Sequence, residues 1–343
     1  MLFPHLSGVA DAKPLLVLAA ALLIDGVFGE FGSLFRFVPH PVAAIGRVVA
    51  ELDRRLNRAT RPERDRFVRG IVAVLLLGLG AILAGLAVAW FCRIIGYGWV
   101  VETLLVAVLL AQRSLFDHVA SVERALSVRG LEAGRDAVRH IVGRDPASLD
   151  GHGVARAAIE SLAENFSDGV AAPAFWYALL GLPGLFLYKT VNTLDSMIGH
   201  RSPKYRAFGW AAARLDDVMN FVPARLSGLL LALAGLFLKG ARPLEAGRAM
   251  LRDAGKHRSV NAGWPEAAMA GALGLALAGP RRYGGAMIED AWMGAGRARA
   301  LPADIGRALA LYVVACLLHG AVVVALYLAL AIGRGGASSL VFS

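Results

Sequence analysis

The stretch Ala157–Asp217 reads AAIESLAENFSDGVAAPAFWYALLGLPGLFLYKTVNTLDSMIGHRSPKYRAFGWAAARLDD, and its alternation of charge and apolar core decides what kind of protein this is. Glu160, Glu164, Asn165 and Asp168 precede an apolar core broken by Pro173, Gly181, Pro183 and Gly184. Lys189, Asn192, Asp195, Arg201, Arg214, Asp216 and Asp217 follow it. An Asp or Arg at mid-bilayer costs about 2.5–3.5 kcal/mol on insertion scales, so a chain that keeps such residues beside lipid has a site to build. The stretch reads as a catalytic or binding belt. Its apolar part, Val170 to Tyr188, either crosses the bilayer or re-enters it as a broken element. Irregular backbone at membrane depth is tolerated only where it is buried in protein or lines a wet cavity, so in both versions the segment walls a cavity.

Working outward, 57% hydrophobic residues and a mean hydropathy of +0.57 place the whole chain among integral membrane proteins. The block Ile71 to Phe91, at about 1.5 Å rise per residue, covers about 30 Å of hydrocarbon, and Ala308 to Ile332 does the same with His319 inside it. The net charge of +10 lies in Arg-rich loops between apolar blocks, which the positive-inside rule explains. No nucleic-acid module accompanies it, so nucleic acid is excluded as a partner. Cys92 and Cys316 sit singly in apolar blocks and read as small buried hydrophobes.

Pro14 to Phe28 is expected to be a retained helix, with Asp25 near its end and Glu30 just beyond. Pro39, His40 and Pro41 form a stiff corner. Val42 to Arg58 then resumes as an amphipathic helix with Val42, Ile45, Val49 and Leu52 on one side. Eight Arg against four acids between Arg47 and Arg69 put that loop in the cytoplasm. Ile71 to Phe91 and Trp99 to Gln112 form a hairpin turning at Gly96 and Gly98. Ser114 to Arg124 and Leu131 to Ile141 are amphipathic helices, and Asp150 caps the helix that carries Arg156, Glu160 and Glu164. The bland reading of that last face is a solvated salt-bridge ladder. Val218 to Leu238 is apolar but interrupted by Asn220, Pro223 and Arg225, and Ala267 to Ala278 is too short to span. Glu289 to Arg307 reads as a surface helix and loop.

The fold expected is therefore all-α: a polytopic membrane protein with about four to six embedded helices, some broken or re-entrant, plus amphipathic helical loops. Residues 1–343 would form one membrane-embedded domain, with polar helical loops over 113–169 and 239–307 and a loose tail over 333–343.

Motifs narrow the chemistry. GxxxxGK[ST], HExxH and GxSxG are all missing from the sequence, which argues against a Walker loop, a zincin and an α/β hydrolase. On a helix Asn192 and Asp195 share a face, as do Arg214 and Asp217, while Asp216 pairs with Asn220. Hard oxygen ligands beside guanidinium groups suit a magnesium ion with phosphate oxygens. Such an ion needs only one or two carboxylates, so some of Asp195, Asp216 and Asp217 are scaffolding. Lys256, His257 and Arg258 beside Gly255 either grip a phosphate or carboxylate or mark a cytoplasmic loop. Glu266, opening an apolar helix after Pro265, suits a bound cation or amine.

The strings HPVAAIGR, IVGRDPASLD, ARAAIESLAENFSDGVAAPAFWYALLGLPG, YKTVNTLDSMIGHRSPKYRAFGWAAARLDDVMNFVPAR and RDAGKHRSVNAGWPEAAMAGALGLALAGP resemble the adenosylcobinamide-phosphate synthase (CobD/CbiB) family of cobalamin biosynthesis. The likeness runs from about Asp25 to Tyr283. One departure is that Asp25 is followed by Gly29 and Glu30, where the family usually reads Gly-Asp-Pro. The resemblance implies a multi-pass enzyme of the cell inner membrane with its active site facing the cytoplasm. It would join the free carboxyl of adenosylcobyric acid to (R)-1-amino-2-propanol or its O-phosphate, giving adenosylcobinamide or its phosphate, and would work beside other membrane enzymes of the pathway. Amide formation near neutral pH calls for activation, as an acyl phosphate from ATP with Mg2+. In that scheme Asp195, Asp216 and Asp217 are the metal candidates, and Glu160, Glu164 or Glu266 is the base. Arg201, Arg214, Lys256 and His257 bind phosphate or carboxylate, and His40, Asn165, Asp168, Asn192 and Asn261 contact substrate.

Two rival classes remain at this point. A secondary carrier also places charge beside broken helices, although paired broken segments in two halves are not visible here. An AmpE-like regulatory membrane protein would share the membrane plan.

Overall fold

The computed structural model describes residues 13–29, 41–142, 146–283 and 286–340, with side chains described outside 281–288 and 333–340. In chain order the helices are α1 (Lys13–Phe28), α2 (Pro41–Leu56), α3 (Glu63–Ile94), α4 (Gly98–Leu109), α5 (Gln112–Arg124), α6 (Leu131–Val138) and α7 (Gly151–Phe166). They continue as α8 (Ala172–Ile198), α9 (Trp210–Met219), α10 (Phe221–Ala234), α11 (Pro243–Asp253), α12 (Gly263–Leu273) and α13 (Pro302–Leu340). Four short strands, β1 (Leu277–Ala278), β2 (Arg281–Tyr283), β3 (Ala286–Ile288) and β4 (Trp292–Met293), make two antiparallel pairs, β1 with β4 and β2 with β3. Among the described residues the fold is all-α apart from these pairs.

Among the described residues four runs are long and apolar enough to cross a bilayer: Glu63–Ile94, Gly98–Arg129, Gly151–Ile198 and Pro302–Ile332. Trp210–Met219 with Phe221–Phe237 makes a fifth as a broken pair. Exposed Leu75, Leu76, Leu79 and Leu83 on α3, and Leu317, Leu326 and Ile332 on α13, are the apolar bands that such spans present to lipid.

The chain divides into two compact units. The first takes the described parts of Met1–Leu110, Ala172–Met219 and Gly320–Ser343; the second takes Ala111–Ala171 and Asn220–His319. In the first, Val49 of α2 packs with Ala73 and Val74 of α3, Leu194 and Ile198 of α8, Phe208 and Ala212, and half-buried Ile45 and Leu52 join them. This is the apolar face read from the sequence of α2. Close approach depends on small residues. A Cβ on Gly70 would lie 2.0 Å from the Phe208 carbonyl oxygen, and one on Gly85 would lie 2.6 Å from Pro183 Cα. Pro183 and Gly181 (φ 67°, ψ −152°) break α8 where the sequence placed the break.

In the second unit α12 is almost wholly buried, from Ala267 to Leu273. A Cβ on Gly271 would meet the Glu245 carbonyl oxygen of α11 at 2.4 Å. The apolar segment too short to span is thus a core helix, ended by Gly274 in the left-handed region (φ 66°). Phe166 meets Tyr312 edge-on at 5.6 Å between ring centroids, and the Tyr312 hydroxyl donates to the Gln112 carbonyl at 2.7 Å.

Two expectations are corrected. Within 289–307, read as a surface helix and loop, Trp292–Met293 is strand β4 and the helical part is the start of α13, which begins at Pro302 rather than at Ala308. Pairing of β4 with β1 and the positive φ of Gly294 (84°) remove that stretch from helix. Residues 333–340, expected as loose tail, continue α13 as helix, since extending a helix costs far less than nucleating one.

Candidate functional site

The first unit gathers one set of the expected residues on the end of α8 and on α9. Asn192 Nδ2 donates to Asp216 Oδ1 at 3.5 Å, a long contact to a carboxylate that is 9% exposed. Arg214 Nη1 donates to Asp217 Oδ2 at 2.8 Å, the i, i+3 pair read from the sequence. Asp195 is half-buried and Arg201 exposed in the turn that follows α8. That turn is held by α2. Asn57 Nδ2 donates to Asp53 Oδ1 at 2.8 Å and to the Lys204 carbonyl at 3.2 Å. The Lys204 ammonium donates to Asp53 Oδ2 at 2.7 Å. Among the described residues no group of three or more His, Cys, Asp or Glu side chains is arranged to hold a metal ion. A magnesium ion bridging phosphates keeps most of its water and takes one or two carboxylates, and Asp216 beside Asn192 fits that lighter demand.

The second unit gathers the other set, and here the chemistry is denser. Glu160, on α7, is buried, and its Oε1 accepts the Ala278 backbone N–H at 2.8 Å. This is a structural task, and the face it sits on is not solvated at that point. Arg156 on the same helix donates to the Ala298 carbonyl at 2.6 Å and lies over the Trp292 ring. Glu164 is exposed and Asp168 half-buried in the π-turn that follows α7. Asn165 Nδ2 donates to the Ser161 carbonyl at 2.9 Å, and Asn165 lines a cavity of about 360 Å³ with Ser114, His118, His140 and Gly169. Leu115, Ile141 and Val142 supply apolar walls to the same cavity.

The loop from α11 to α12 is built around Asp253, which is 3% exposed. Its carboxylate accepts from Arg252 Nε at 2.9 Å and Nη2 at 2.6 Å, from Lys256 Nζ at 2.9 Å, and from the Gly294 N–H at 3.0 Å. Burial alone pushes its pKa up. The hydrogen bonds from Arg252, Lys256 and Gly294 outweigh that and bring it from 3.8 down to about 2. Lys256, anticipated as an anion binder, is therefore half of an anchored pair, with its side chain 52% exposed and donors to spare.

Beyond the anchor, the Ser259 N–H donates to His257 Nδ1 at 3.0 Å. His257 Nδ1 also lies 3.3 Å from the Ser259 carbonyl oxygen, and on the other side of the ring Nε2 faces Glu266 Oε1 at 3.6 Å. Glu266 is 4% exposed and lies in the first turn of α12, where the helix dipole favours its charge. Ser259 Oγ accepts the N–H groups of Asn261 at 3.2 Å and Ala262 at 3.1 Å, which ties the loop together just before α12. Asn261 Oδ1 in turn accepts from Arg225 Nη1 at 3.3 Å.

Arg225 is the residue that sequence reasoning passed over. It stood in view as an interruption of an apolar run. What made it part of the cluster is tertiary: its guanidinium carbon lies 3.6 Å from the ring centroid of Phe221, on its own helix, and 4.5 Å from that of Trp264, on α12. Asp253 and Ser259 were likewise missed, because their partners lie on loops whose approach no spacing rule gives. His40 and Glu30 lie outside the described residues.

These features define a polytopic helical membrane protein whose polar loops carry buried carboxylates, and in the second unit a half-buried imidazole and a guanidinium packed against two aromatic rings. The chain matches the family model described as CobD/Cbib protein over residues 18–312, and it belongs to the CobD/CbiB family. It is 53% identical to the cobalamin biosynthesis protein CobD of Sinorhizobium sp, over 91% of this chain and 98% of that one. It is 51% identical to that of Rhizobium meliloti strain 1021, over 89% and 94%, and 46% identical to that of Rhodobacter capsulatus, over 86% and 92%. No solved structure matches the chain.

Proposed function

We propose that the protein acts in cobalamin biosynthesis as an amide-forming ligase that joins adenosylcobyric acid to (R)-1-amino-2-propanol or its O-phosphate. The observation that carries the reading is the buried Glu266 facing His257 at 3.6 Å, within the segment matched by a family whose relatives bear that pathway's name. The product is adenosylcobinamide or its phosphate. The work is done in the cell inner membrane from the cytoplasmic side, where an amphipathic corrinoid can be held at the bilayer surface and handed to neighbouring membrane enzymes of the pathway.

In this reading the substrate carboxylate takes a phosphoryl group from ATP, releasing ADP, and the amine nitrogen attacks the carbonyl carbon of the acyl phosphate. The C–O bond to phosphate breaks as the C–N bond forms, and the proton leaves the nitrogen for a base. ATP would bring Mg2+ as its counter-ion, and in the first unit Asp216, with Asp195 and Asp217 on α8 and α9, is the carboxylate set suited to hold such an ion. Glu266 is the proposed base. Its carboxylate faces His257 near the positive end of α12, whereas Glu160 is committed to the Ala278 N–H and Glu164 is exposed. His257, with Nδ1 occupied by the Ser259 N–H, positions Glu266 rather than taking the proton itself. Lys256 and Arg252 offer surplus donors to departing phosphate, and Asn261 orients the amide under formation.

The test is product formation by the full-length protein in detergent with adenosylcobyric acid, aminopropanol phosphate, ATP and Mg2+, read by mass spectrometry. The amide mass, appearing with one ADP per turnover, supports the ligase. Corrinoid accumulation in vesicles without covalent change would replace it with the carrier reading.

A further inference from the structure

We infer that Arg225 is an oxyanion receptor, a binding site for a phosphate group presented either by a soluble ligand or by a lipid headgroup. Its guanidinium carbon lies against two aromatic rings, 3.6 Å from the Phe221 centroid and 4.5 Å from that of Trp264. One nitrogen, Nη1, is spent on the Phe221 carbonyl at 2.6 Å and on Asn261 Oδ1 at 3.3 Å. Both partners are neutral. No carboxylate among the described residues pairs with Arg225, although buried or half-buried Asp253, Asp290 and Asp304 of the same unit each have an arginine partner.

A guanidinium carries five N–H donors in a planar fork, and ring contact on its face leaves the donors along its edge for binding. The Nε and Nη2 edge bears no hydrogen bond among the described residues, and that two-pronged geometry matches the oxygens of a phosphate or carboxylate. Holding the charge half-buried without a counter-ion is costly unless an anion visits. The setting admits both sources of phosphate. Arg225 lies on α10, part of the broken span, whose Phe221, Val222, Leu226 and Leu229 are exposed apolar side chains, and its other side is the polar loop of Asn261. A role as a mere staple between α10 and α12 would need the stack and the Phe221 carbonyl alone, and would not leave the edge open.

The inference is tested without turnover, so its failure is separable from failure of the ligase reading. Full-length protein in dodecyl maltoside is titrated with inorganic phosphate and its thermal transition followed. In parallel, retention of added phosphatidylglycerol is counted by native mass spectrometry. Wild type is expected to be stabilised by phosphate or to retain the lipid. Arg225→Gln is expected to weaken whichever is seen by roughly tenfold or more, the loss of a charged two-pronged contact. Arg225→Lys keeps the charge and the ring contacts but not the fork; it is expected to fall between, and it decides the matter should the Gln variant not fold. Phosphate stabilisation identifies a soluble ligand as the source, and lipid retention alone identifies a headgroup. If wild type responds to neither, or if both variants bind as wild type does, the inference is overturned.

Discussion

Replacing Asp253 with Asn tests whether one buried carboxylate holds the polar loop in place. The side chain joins Arg252 and Lys256 to the Gly294 N–H, which is 41 residues away in sequence. The gap between its ordinary pKa of 3.8 and about 2 in the folded chain corresponds to about 2.5 kcal/mol of preference for the ionised form. Direct removal of a buried ion-pair partner costs about 3–5 kcal/mol. Arg252 and Lys256 are 45% and 52% exposed, so water recovers part of that, and about 2 kcal/mol is the expected net loss. Because the folded pKa is the lower one, the contribution is fully present above about pH 4 and is lost as pH falls through about 2. The assay is hydrogen exchange of the loop 254–262 and of the Gly294 amide in detergent at neutral pH. Two kcal/mol of local opening corresponds to roughly thirtyfold faster exchange in Asp253→Asn. Exchange that changes by less than about threefold, a difference of under about 0.7 kcal/mol, would refute the anchoring role.

Other predictions follow from packing and exposure. Gly70→Ala puts a Cβ 2.0 Å from a backbone oxygen and should cost about 1–3 kcal/mol or more in thermal unfolding. Gly80→Ala on the same helix meets nothing within 4 Å and should be neutral or slightly stabilising. Equal effects of the two would mean that α3 does not approach Phe208 as described. Arg214→Ala removes a pair whose members are 49% and 30% exposed, so stability should fall by no more than about 1 kcal/mol; a loss of several would assign that pair a structural weight the geometry denies it.

Much of this fold was legible because it is written in local spacing. Asp150 was read as a helix cap, and its Oδ1 accepts the Gly153 N–H at 2.7 Å. The α2 face, the α3–α4 hairpin and the break at Gly181 and Pro183 follow from the period of apolar residues and from backbone chemistry alone. What escaped depends on partners distant in the chain. The β1–β4 pair joins Leu277 to Met293, and no helical or strand period marks two-residue strands. Glu160 looked like one rung of a solvated ladder until the Ala278 N–H was seen to meet it 118 residues away. Candidate residues were named by type, and type separates neither the anchored Lys256 from a mobile surface lysine nor the stacked Arg225 from a loop arginine.

The account turns on Glu266 as the group that accepts the proton when carboxylate and amine are joined. Turnover of adenosylcobyric acid by Glu266→Gln and Glu160→Gln, each compared with wild type under saturating aminopropanol phosphate, ATP and Mg2+, tests it most directly. Loss of general-base catalysis should lower kcat of the first by roughly a hundredfold or more with KM for the corrinoid little changed, while the second, which keeps an acceptor for the Ala278 N–H, retains most of its kcat. If Glu266→Gln turns over as fast as wild type, or if Glu160→Gln is the variant that is silenced, the proposed centre is in the wrong place.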